Sequence, residues 1–162
     1  MIAGPSLKTR ALGYLARREH SRLELEKKLA PYAQTPAELS SVLDMLEQSD
    51  FLSARRMVEQ VVHVRRSKFG SQRIVHELQE KGIAEDLIAA ALPDLKETEL
   101  DTARAVWRKK FGAVPGNAKE RGKQMRFLLS RGFAPEVIYK VLLHSDTDEC
   151  IRPHASTQIK SI

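Results

Sequence analysis

Residues 65–83 read RRSKFGSQRIVHELQEKGI. The first nine bring together Arg65, Arg66, Lys68 and Arg73 without one acid; Ile74, Glu77 and Leu78 follow, and Lys81, Gly82 and Ile83 close the stretch. Apolar residues three or four apart lie on one face of a helix. A serine ahead of such a run caps it, and a glycine just beyond it takes the left-handed backbone that ends it. The stretch therefore predicts a helix capped at Ser71, carrying Ile74 and Leu78 into a core and stopping at Gly82, with a cationic block at its entrance.

The same punctuation recurs outward from this segment. Upstream, Leu7, Ala11 and Leu15 fit one helix, and Ser21 with Glu24 forms a capping box for a second helix bearing Leu25 and Leu29. Thr35, Pro36 and Glu38 supply an N-cap, a proline at the first helical position and a reciprocal acid before Leu39, Val42, Leu43 and Leu46. Met57, Val58, Val61 and Val62 share a stripe on a helix over roughly residues 54–67, which outweighs the strand-like run Val61–Val64. Downstream, Leu87, Ile88, Ala91 and Leu92 predict a short helix ended by Pro93, and Asp94, Glu97, Glu99 and Asp101 read as a solvated acidic linker.

Beyond that linker the pattern starts again. RSKFG at 66–70 matches RKKFG at 108–112, and HELQEKGI at 76–83 matches RFLLSRGF at 126–133. The offset grows from 42 to 50, so an eight-residue insertion falls around Ala113 to Glu120, where Pro115, Gly116 and Asn117 break the period. Residues 7–48 form a looser first copy. The fold class is therefore all-α: about three tandem three-helix repeats, elongated and curved, because each copy has too little apolar surface to fold alone. The divisions fall at residues 1–52, 53–95 and 96–143, followed by a partly ordered tail at 144–162.

Composition excludes several function classes. A chain of 162 residues with 42% hydrophobic and 30% charged residues is globular. No apolar run approaches the roughly 18 residues of a membrane span. MIAGPSLKTR lacks a secretory apolar segment, and one cysteine makes no intrachain disulfide, so a cytoplasmic protein is expected. There is no phosphate-cradling glycine loop and no zinc-type cysteine pair; His144, Cys150 and His154 lack the spacing and fourth ligand of a metal site. Neither a cofactor nor catalysis is expected. Trp107 and Phe111 fall on the stripe of Leu100 and Ala103 and are expected in a core rather than against nucleobases.

Charge is segregated. Residues 53–76 hold six basic residues and one acid, 77–101 hold two and eight, and 104–131 hold nine and one, within a net charge of +6. Helix C-termini favour cations, which accounts for Arg65, Arg66 and Lys68, but Arg73, Lys119, Arg121, Lys123 and Arg126 stand near helix starts, where the dipole disfavours them. A coherent block of one sign attracts polyanions.

At the level of motifs the chain resembles the RecX family, regulators of the RecA recombinase. The resemblance rests on Arg65 or Arg66, Gly70, Arg73, Ile74, Glu77, Leu78, Lys81, Gly82 and Ile83, and on ARREHSRLELEKKL at 16–29. One departure stands out: the family has an acidic pair, a variable residue, arginine, an aromatic and alanine where this chain has Ser53, Ala54, Arg55, Arg56, Met57 and Val58, so Arg56 alone keeps that pattern. The resemblance implies a protein without catalysis that binds along the groove of the RecA filament on DNA and inhibits ATPase and strand exchange. It would be a monomer with no membrane attachment, meeting DNA weakly or through the filament. The candidate contacts to RecA or DNA are Arg65, Arg66, Lys68, Arg73 and Lys81, with Arg108, Lys109, Lys110, Lys119, Arg121, Lys123 and Arg126 in the last copy. The alternative is a stand-alone DNA-binding protein of helix-turn-helix-like modules, although no helix carries an obvious base-reading set.

Overall fold

A computed structural model describes residues 4–148, with side chains through Leu143. Among them are eight α-helices and no strand. α1 (Leu7–Leu15), α2 (Arg22–Leu29) and α3 (Pro36–Gln48) are followed by α4 (Ala54–Arg65), α5 (Ser71–Glu80), α6 (Glu85–Lys110), α7 (Ala118–Ser130) and α8 (Pro135–Asp148). The side chain of His144, together with Cys150 and His154, lies outside the described residues. The backbone of α8 runs to Asp148, five residues into the expected tail.

The predicted caps are present, with two shifts. Ser21 and Glu24 form the full capping box of α2. Thr35 accepts the Glu38 N–H at 3.1 Å, but Glu38 reaches back to the Gln34 N–H at 2.8 Å instead of that of Thr35. At α5 the N-cap is Gly70, and Ser71 is the first helical residue. Val61 to Val64 are helical, as the flanking period requires.

The larger correction concerns Pro93 and the acids after it. The chain does not stop there: α6 is one helix of 26 residues with Pro93 inside it. Proline removes one main-chain hydrogen bond and crowds the carbonyl four residues back. Pro93 and Ala89 are both exposed, so the freed carbonyl faces water, while Ile88 and Leu95 on the other face are buried. Packing thus overrides local propensity. The expected solvated linker is helical, and Glu99 is buried at 5% exposure.

Three apolar cores follow one another without sharing a residue. Leu7, Leu25, Leu29, Leu43 and Leu46 centre the first, Met57, Ile74, Leu78 and Ile88 the second, and Trp107, Leu128, Phe133 and Ile138 the third. α6 belongs to two of them: Ile88 and Leu95 enter the second core, Ala103 and Trp107 the third. Trp107 is buried as expected, and its indole N–H donates to Gln124 Oε1 at 2.8 Å. Gln124 Nε2 in turn donates to the Ala113 carbonyl at 3.1 Å, which holds the inserted loop before α7 in place.

The second and third units are joined through main chain. Gly70 N–H donates to the Arg131 carbonyl at 2.9 Å and Gln72 N–H to the Gly132 carbonyl at 3.2 Å. The orphan donors at the start of α5 thereby meet the orphan acceptors at the end of α7. Glu99, from α6, completes the arrangement by accepting both the Ser71 N–H and the Ser71 hydroxyl at 3.0 Å. So close an approach leaves no room for a side chain: a Cβ on Gly70 would stand 2.2 Å from the Gly132 carbonyl oxygen.

The first and second units meet differently. Lys81 Nζ donates to Glu24 Oε1 at 2.8 Å, Arg56 Nε to Glu19 Oε1 at 2.9 Å, and Leu23 lies over Gly82. Burial works to raise the pKa of Glu24, but hydrogen bonds from Arg18, Lys81 and the Ser21 N–H outweigh it and hold the carboxyl at about 2, against an ordinary 4.5.

Two outcomes are expected. Gly70→Ala lowers stability to urea by about 2–3 kcal/mol although φ is −76°, since all of the damage comes from the clash with Gly132; an unchanged midpoint would contradict the close approach. Glu24 has a folded pKa below its unfolded one, so the unfolded chain takes up the proton first. Its contribution, at most about 3 kcal/mol, is complete above the unfolded value and is lost as pH falls from about 4.5 towards 2. Urea midpoints measured at about pH 6 and pH 3 should therefore fall less for Glu24→Gln than for the parent chain.

Candidate functional site

Three helix C-termini converge where the second unit meets the third. Lys68 follows the end of α4, Lys109 and Lys110 end α6, and Arg131 caps α7. Together with Ser67, Ala105, Val106 and Phe127 they line an open cleft of about 550 Å³. Four of the eight lining residues are cations and none is an acid. The partial negative charge of each helix end, roughly half an elementary charge, stabilises such side chains without cancelling them.

Aromatic rings hold the arginines and one of the lysines. Phe127 meets Phe111 edge to face at 5.3 Å, and the Arg131 guanidinium lies 5.2 Å and the Lys110 ammonium 5.8 Å from its centroid. Phe69 is shared by Arg65, Arg73 and Arg131 at 5.8, 4.8 and 5.3 Å. Cations over ring faces gain modestly in energy, and their stems are kept against apolar surface.

The candidates from the sequence divide into groups. Lys68, Lys109 and Lys110 come together in the cleft. Arg65 pairs with Glu77 at 2.9 Å, Arg66 donates to the Thr98 hydroxyl at 3.1 Å, and Arg73 donates to the Ser130 carbonyl at 3.2 Å, so these three brace neighbouring helices. Lys81 is engaged with Glu24 at the first junction. Arg108 is exposed on α6 and does not line the cleft; Lys119, Arg121, Lys123 and Arg126 are exposed along α7 and do not line it either. Arg131 was missed from the candidates, although the alignment of EKGI with SRGF sets it in register with Lys81.

A second cleft, about 570 Å³, lies between the first two units and is mixed in charge: Lys27, Arg65, Arg73 and Lys81 line it with Glu24, Glu77 and Glu80. No group of histidine, cysteine and acidic side chains able to hold a metal ion occurs among the described residues, and no helix there is long and apolar enough to cross a membrane.

Residues 55–92 match the model of the second three-helix domain of RecX and residues 97–142 that of the third. A regulatory protein RecX of Leptothrix cholodnii is 52% identical over 141 residues, 87% of this chain and 90% of that protein. The chain belongs to the RecX family. A RecX regulatory protein of Herbaspirillum seropedicae is 49% identical over 144 residues, covering 89% of this chain and 94% of the relative. The crystal structure of RecX from Lactobacillus salivarius, at 19% identity, has the same fold, with a TM-score of 0.74 over 87% of this chain and 95% of that one. The tandem three-helix organisation expected from RSKFG and RKKFG is thus the organisation of the family, and both domain matches enclose one of those motifs.

Proposed function

We propose that this RecX protein binds along the RecA filament on DNA and, by occupying it, inhibits ATPase and strand exchange without catalysing a reaction of its own. The observation that carries this reading is the acid-free cleft between the second and third units, where Lys68, Lys109, Lys110 and Arg131 present one sign of charge. A neutral or mixed surface would attract an acidic partner weakly, whereas a cleft of one sign draws in phosphate or carboxylate and speeds encounter. The serial order of the three cores supports an extended partner, since each unit offers its own surface in turn.

Arg65, Arg66, Arg73, Arg108, Lys119, Arg121, Lys123 and Arg126 extend positive charge beyond the cleft, while Lys81 contributes through the junction it holds with Glu24. The alternative, a stand-alone DNA-binding protein, draws on the same cleft, because phosphate oxygens take a large share of the hydrogen bonds that lysine and arginine make to DNA. Charge reversal at the cleft tests the filament reading. Lys68→Glu with Lys109→Glu and Lys110→Glu, all exposed, should weaken inhibition of RecA ATPase by about tenfold or more while circular dichroism stays unchanged. Full inhibition by the folded triple variant would move the contact elsewhere.

A further inference from the structure

The two junctions between units use one geometry with different chemistry. In each, the glycine after the second helix of one unit sits on the first turn of the second helix of the unit before it. Gly82, at φ +71°, sits under Leu23 of α2; Gly132, at φ +81°, sits under Arg73 of α5. What differs is the cap of the receiving helix.

α5 begins at Gly70, which has no side chain to satisfy its own first turn. Its donors are left for the neighbouring unit, and the Arg131 and Gly132 carbonyls take them. α2 begins at Ser21, and its capping box with Glu24 is complete within the helix. The Ser21 hydroxyl accepts the Glu24 N–H, and Glu24 Oε2 accepts the Ser21 N–H at 2.9 Å. The box occupies the Ser21 N–H, the counterpart of the Gly70 N–H that crosses the second junction, and among the described residues no main-chain hydrogen bond crosses the first. What remains runs through side chains: Lys81 to Glu24, Arg56 to Glu19 and to the Asp50 and Phe51 carbonyls at 2.8 and 3.3 Å, and the contact of Leu23 with Gly82. Covalent connection follows the same division. The second and third units share the continuous α6, whereas the first is joined by residues 49–53, where Asp50 has φ 57°.

The geometry points to a chain of two mechanical parts: a rigid body made of the second and third units, and the first unit as an arm hinged at residues 49–53 and latched by the two ion pairs to Glu19 and Glu24. Ion pairs that keep about a fifth to a third of their side chains in solvent weaken as the screening length falls from about 10 Å at 0.1 M salt to about 3 Å at 1 M, while the main-chain bonds from Gly70 to Arg131 and from Gln72 to Gly132 do not. Arg18, which also donates to Glu24, and Asp50, which pairs with Arg56, add to the charged set at the latch, and Lys27, Glu77 and Glu80 line the cleft beside it. An arm able to swing adjusts the spacing of its surface to a helical partner. The hinge itself is a property of the free protein and stands apart from the filament reading.

The test is single-molecule energy transfer on the full chain with Cys150→Ser. One dye pair joins Ser41→Cys to Ala89→Cys across the first junction; a second joins Ala89→Cys to Glu136→Cys within the rigid body, all at exposed positions. Between about 0.05 and 1 M sodium chloride the first pair should lose efficiency and broaden, and the second should not move. Glu19→Gln with Lys81→Gln, which leaves the α2 capping box intact, should give the broadened distribution already at low salt with helicity unchanged. A first-pair distribution identical across salt and variant would overturn the hinge, as would both pairs moving together.

Discussion

The hydrogen bonds from Ser71 to the buried carboxyl of Glu99 hold the centre of this molecule together. A buried carboxyl group is tolerated only where its oxygens are satisfied. Here both are, by the N–H and the hydroxyl of the residue that opens α5. That contact ties α5 to the middle of α6, and α6 carries Lys109 and Lys110 at its end. The position of Gly70, and with it the turn bearing Lys68, follows from the same anchor. The basic cleft exists because a helix start in one unit is finished by groups from the next.

This dependence explains the place of glycine in both repeated motifs. Gly70 is there for what its missing side chain allows, a main-chain contact with Gly132 closer than any Cβ permits. Gly132 is there for its positive φ as well, which an L side chain adopts only with strain. The first junction has serine where the second has glycine, and the result is a self-capped helix that meets its neighbour through charges instead.

Much of this was legible in the sequence, and for local reasons. Ser21 with Glu24, and Thr35 with Pro36, are short-range signals whose partners lie within four residues, so they survive any tertiary context. The duplication of RSKFG as RKKFG showed that cations recur at equivalent helix ends, and Lys68, Lys109 and Lys110 do share the cleft. What the sequence hid depends on partners far along the chain. Glu99 looks like one more acid in a solvated run because Ser71 is 28 residues away. Pro93 looks like a stop because nothing local says that its exposed face leaves water free to replace the lost hydrogen bond. Arg131 looked ordinary until the fold set it beside Lys110 over the ring of Phe127.

For a RecX protein with an acid-free cleft, a filament of protein and DNA and naked DNA are the two rival partners. Co-sedimentation with preformed RecA filaments, set against single-stranded DNA alone at the same salt, separates them most directly. Retention by the filament is expected at protein concentrations where naked DNA retains little. Equal or stronger retention by naked DNA would contradict it.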